Sequence, residues 1–103
     1  MLDFGFTLLA PEQLPAGDPA PPAAGQVQVS VTAALVEAGA GASAGLAGTV
    51  AAGSAGEDLP SGARVFLFGP AVAALNAPGS AVWPAPAGWD DRRAAAAAWL
   101  LAL

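Results

Sequence analysis

The chain has 103 residues, enough for one domain with a modest core, and sets three arginines against eight carboxylates for a net charge of −5. It contains no cysteine, histidine or tyrosine and no lysine. Disulfides, thiolate nucleophiles and Cys-based metal sites are therefore excluded, and with them the usual general base near neutrality and the Schiff-base amine.

A pI near 4.1 argues against nucleic acid, because Arg64, Arg92 and Arg93 cannot assemble the basic surface that phosphate binding needs. Charged residues make up 11% of the chain, where soluble domains average about 25%, and mean hydropathy is +0.57. So little charge leads us to expect that neighbouring protein covers part of the surface. A membrane does not fit as the cover. The longest apolar run, Ala94 to Leu103, is ten residues, against the roughly 20 of a spanning helix. Asp3 stands where an export signal carries Lys or Arg, so synthesis in the cytosol without general export is expected. A GC-rich genome also favours Ala, Gly and Pro codons, so alanine content alone supports no inference.

Leu2, Phe4, Phe6 and Leu8 alternate with Asp3, Gly5 and Thr7, the period of a strand with one apolar face. It can complete its own sheet or add to the edge of a neighbour. Residues 11–25 hold Pro11, Pro15, Pro19, Pro21 and Pro22, which favours an extended connector. It either carries the first strand outward as an arm or runs across the domain as a surface loop.

Gln26 to Val36 is the clearest strand. Val27, Val29, Val31, Ala33 and Leu35 are expected on one face, with Gln26, Gln28, Ser30, Thr32 and Ala34 on the other. Glu37 to Gly45 reads as a loop, Leu46 to Ala52 as a weaker strand, and Gly53 to Gly62 as a loop with a turn at Leu59-Pro60-Ser61-Gly62. In the next strand, Arg64, Phe66 and Phe68 alternate with Val65 and Leu67 before Gly69-Pro70. Apolar bulk on both sides predicts a place in the middle of a sheet.

The run Leu46-Ala47-Gly48-Thr49-Val50, followed after a loop by LPSGARVFLF at 59–68, resembles the opening strands of Ig-like and transthyretin-like accessory modules related to carboxypeptidase regulatory domains. The resemblance covers residues 46–69, and the Asp-containing continuation of those modules is absent after Phe68. It implies a non-catalytic β-sandwich of the kind found in surface and virion proteins.

Pro70 to Asn76 suggests one or two helical turns, with an extended run as the competing reading. Ala77 to Ser80 reads as a turn, and Ala81 to Trp83 as a short edge strand ended by Pro84 and Pro86. The last segment is the best helix. Asp90 or Gly88 caps it, Asp90 and Asp91 suit the dipole, and Ala94 to Ala98 has the highest propensity available. Trp99, Leu100 and Leu103 are expected on one broad face with Ala95 and Ala96, buried on the sheet or on a partner.

The acidic pairs Glu57-Asp58 and Asp90-Asp91 lack a calcium-loop pattern and read as solvated loop and helix start. The glycines Gly39, Gly41, Gly45 and Gly48 do not form a phosphate loop, and Ser54 and Ser61 have no His to activate them. Trp83, Trp89 and Trp99 stand out, because Trp with Arg nearby is enriched at interface centres.

The fold expected is mainly β, a small antiparallel Ig-like sandwich with an extended N-terminal arm and a C-terminal helix. Its parts are a strand or arm (1–10), a Pro-rich connector (11–25), a β domain (26–87) and the helix (88–103). The function expected is a non-enzymatic subunit of a large assembly, foremost a phage-type virion component (decoration, head-tail or tail protein) made in the bacterial cytoplasm. The expected interface residues are Phe4, Phe6, Trp83, Trp89, Arg92, Arg93, Trp99, Leu100 and Leu103. The partners would be other subunits, itself among them, without cofactor, metal, nucleic acid or transmembrane segment. The alternatives are a carbohydrate- or ligand-binding module in which Trp83 and Trp89 stack on sugars, and a small accessory subunit of a membrane complex with Trp99 to Leu103 against lipid or a spanning partner.

Overall fold

A computed structural model describes residues 5–37, 43–51 and 59–101. Alternation becomes strand in six places: β1 (Phe6–Leu9), β2 (Gln26–Glu37), β3 (Ser43–Val50), β4 (Arg64–Pro70), β5 (Ala74–Pro78) and β6 (Trp83–Pro84), followed by one helix, α1 (Asp91–Leu101). All six strands join one antiparallel sheet in the order β1-β2-β3-β4-β6, with β5 also paired to β2. The fold is thus mainly β with a C-terminal helix, sandwich-like in that both sheet faces are covered.

The strand that organises the sheet is β2. It pairs β3 along one side, while its other side is shared by β5 against Gln26–Ser30 and β1 against Ala34–Glu37. The run expected to be central, now β4, has β3 along its full length, but only the two residues of β6 on its outer side. Both its faces are nonetheless buried, at Val65 and Leu67 on one and Phe66 on the other.

A β-bulge corrects the expected faces of β2. Val31 pairs with Gly48 and Ala33 with Ala47, so Thr32 is an extra residue, and its hydroxyl donates to the Ala47 carbonyl at 3.1 Å. An inserted residue reverses the inside-outside alternation beyond it. Val27, Val29 and Val31 share one core with Ala34, whereas Leu35 belongs to the core under the helix. Ala34, expected on the polar face, is fully buried.

The first core also includes Leu46, Val50, Val65 and Leu67, and is closed by Leu59, Val82 and the half-buried Leu14. Leu14 lies in the Pro-rich connector, which runs across the domain. Ala73 N–H donates to Pro15 O at 2.7 Å, and the Asn76 amide donates to Ala20 O at 2.7 Å. Gly17 (φ +82°) lies so close to Ala74 that a side chain there would strike its carbonyl. The first strand is likewise held in cis, with Leu8 opposite Leu35 on β2. The expected extended arm is thereby replaced, over the described residues, by an edge strand and a surface loop.

Three further expectations shift. Ser43–Gly45, expected in a loop, begins β3. The helical turns suggested after Pro70 do not form, and Ala74–Pro78 extends along β2 instead, because backbone pairing and the burial of Ala77 outweigh weak local propensity. The turn expected at Ala77 to Ser80 falls later, as a 3-10 turn at Gly79–Ala81.

Candidate functional site

The helix begins where Asp90 accepts a hydrogen bond from the Arg93 backbone N–H at 2.8 Å, a side-chain N-cap. Arg64 reaches up from β4 to tie this end down, donating to the Trp89 carbonyl and to Asp91 at 2.8 Å. Alanine then lets the helix sit close to the sheet. Ala94, Ala95 and Ala98 are fully buried against Leu35, Ala47 and Phe66. At the far end the Trp99 indole N–H donates to the Leu35 carbonyl at 2.7 Å, and its ring meets Phe6 (5.4 Å) and Phe68 (4.9 Å) edge-on.

The expected interface residues fall into two groups. Phe4 and Leu103 lie outside the described residues. Trp83, Trp89, Arg92 and Arg93 gather where β4, β6 and the start of α1 meet. Trp83 stacks on Phe66 at 6.2 Å, Phe66 contacts Trp89 at 5.9 Å, and the Arg93 guanidinium lies 4.9 Å over the Trp89 ring. Trp83 remains 39% exposed, Trp89 is half-buried, and Arg92 and Arg93 are exposed. Trp89 carries Arg93 on one face, and Trp83 leans on Phe66.

Phe6, Trp99 and Leu100 form the second group, at the helix end. Phe6 and Trp99 are committed to each other inside the chain. Leu100 departs from expectation: it is 70% exposed, because it lies on the opposite side of the helix from the buried Ala94, Ala95 and Ala98. Leu101, not singled out from the sequence, is 49% exposed beside it, and Leu8 on β1 is 39% exposed. Helical spacing counted from the alanines would have placed Leu100 outside.

No family model matches the chain, no curated protein is similar to it, and no solved structure matches it. Among the described residues, no three acidic side chains stand close enough to hold a metal ion, and no helix is long and apolar enough to cross a membrane.

Proposed function

We propose that this chain is a non-enzymatic structural subunit of a larger protein assembly, of the phage-type virion class as decoration, head-tail or tail component. The observation that carries the reading is the pairing of a scarcely charged chain with large apolar side chains left in solvent, Trp83 on the sheet edge and Leu100 and Leu101 on the helix end. Exposed apolar side chains supply area for protein contact, and a composition without His, Cys, Tyr or Lys suits contact better than catalysis. The docking of β1 and α1 on their own sheet moves the contact surface from free terminal segments to the rim of the domain.

Size fractionation of a native extract from cells or particles containing the protein tests this. The chain should travel with a body far larger than its own 9.9 kDa, and crosslinks should map to Trp83, Leu100 or their neighbours. Recovery solely at the single-chain mass overturns the proposal.

A further inference from the structure

We infer that the two opposite edges of the sheet are complementary and join copies of this chain head to tail, edge against edge. This deepens the assembly reading and rests on it. All three arginines lie at one edge. Arg64 is on β4, and Arg92 and Arg93 are on the first turn of α1 above it. Among the described residues, with Asp90 and Asp91 counted, that edge is one charge positive, and the chain has six other carboxylates.

Three of those six are described, and all are exposed on the opposite side. Glu12 follows β1, Asp18 sits in the connector next to the Gly17 that packs on β5, and Glu37 is paired with Phe6 of β1. From β1 to β6 there are four strand spacings, about 19 Å along the sheet at 4.8 Å each. The Debye length at physiological ionic strength is about 8 Å. Within one molecule the two edges are therefore screened from each other, and they exert their attraction only when edges of two molecules meet.

An apolar match accompanies the charge match. The sheet leaves two large apolar side chains in solvent, Leu8 and Trp83, each 39% exposed. Leu8 lies opposite Leu35 on β1, and Trp83 opposite Phe66 on β6. Leu35 and Phe66 belong to the same core under α1, so Leu8 and Trp83 occupy the same face at opposite edges. Setting the β1 edge of one copy beside the β4–β6 edge of another brings Leu8 toward Trp83 and Glu12, Asp18 and Glu37 toward Arg64, Arg92 and Arg93. The contact is heterologous, so it extends into a ring or a filament rather than closing at two copies.

Sedimentation equilibrium on the purified chain tests the inference. The wild type should gain mass with concentration past the dimer, and return to 9.9 kDa when salt is raised to about 0.5 M. The double variant Arg92→Glu/Arg93→Glu should remain single at every concentration. Its glutamates fall in the first helical turn, where the dipole favours them, so the helix is retained. Glu12→Arg/Asp18→Arg should also remain single, and an equimolar mixture of the two variants should associate again. Leu8→Ser gives an uncharged check and should weaken association at least tenfold, with an unchanged circular dichroism spectrum. A wild type that stays single up to about millimolar concentration, or a mass that stops at two copies, overturns head-to-tail joining. So does a failure of the mixture to associate when both variants are folded. If the purified chain is single while the native protein still travels with a large body, this inference falls and the assembly reading stands with a different partner.

Discussion

At Gly45 the helix backbone lies directly against the sheet, and Gly45→Ala is the sharpest test of how the domain is held together. A methyl group at Gly45 would run into the Ala95 carbonyl and come within 2.8 Å of Trp99 Cδ1. The first of these is helix backbone, which no rotamer change can move aside, so α1 must lift or tilt. Lifting loosens the buried contacts of Ala94, Ala95 and Ala98 and stretches the 2.7 Å indole bond to Leu35. Overpacking of this kind costs about 1–3 kcal/mol, and in a domain near 100 residues each kcal/mol moves Tm by about 4 °C or more. The expected result is a Tm lower by about 4–12 °C, with tryptophan fluorescence shifted to the red in the folded state as Trp99 leaves its pocket. Gly69→Ala is the matched control. Its added methyl would find Leu75 Cδ1 at 3.5 Å, an ordinary contact, and its backbone is not left-handed, so Tm should hold or rise slightly through a less free unfolded chain. If Gly45→Ala melts with the wild type and Gly69→Ala does not differ from it, the helix is not seated on β3 as described.

Trp99→Phe keeps a ring between Phe6 and Phe68 but removes the donor to Leu35 O. It should cost about 1–2 kcal/mol in urea unfolding, and no loss would mean that water serves that carbonyl equally well. Asp90→Ala deletes the N-cap and should cost about 1 kcal/mol, while Asp90→Asn should cost far less. Asp91→Asn breaks an ion pair whose side chains are 40% and 38% exposed while leaving the Arg64 bond to the Trp89 carbonyl. We expect it to cost no more than about 1 kcal/mol, largely gone at high salt. Deleting Thr32 removes the extra residue and leaves Ala34 opposite Leu46 and Leu35 opposite Gly45, each on its present face. The shortened chain should therefore still melt cooperatively near the wild-type Tm, and loss of the cooperative transition would refute the two-core account of β2.

Much of the sheet can be read in advance because alternation is local. Val27, Val29 and Val31, and Phe66 with Val65 and Leu67, announce their strands from spacing and β-branching alone. The bulge is different. Thr32 fits the polar side of a regular strand, so the pattern through QVQVSVT gives no warning. The only trace is the run Ala33-Ala34-Leu35-Val36, apolar at both parities, which a strand with one wet face would not carry. Pairing partners are harder still. β5 forms because Asn76 and Ala77 find β2 and the connector, contacts distant in sequence that local helix preference at Pro70–Asn76 cannot anticipate. The tryptophans and arginines were legible as a group, but not their division between a rim cluster at Trp83 and an internal clamp at Trp99.

The small residues and the scarcity of charge have a common cause in this architecture. A helix lying as close to a sheet as α1 does needs alanine on its inner face and glycine beneath it, and Ala94, Ala95, Ala98 and Gly45 meet that need whatever codon bias supplied them. One sheet face is thus closed by a helix and the other by the connector and the loops carrying Leu59 and Val82. Ionised side chains cannot be buried at either face without partners, and none is buried among the described residues. The faces being taken, the described charges stand at or beside the sheet's margins, the arginines at one and Glu12, Asp18 and Glu37 at the other. In a chain with so few charges, that separation is what the proposed edge-to-edge contact would use to tell one neighbour from another.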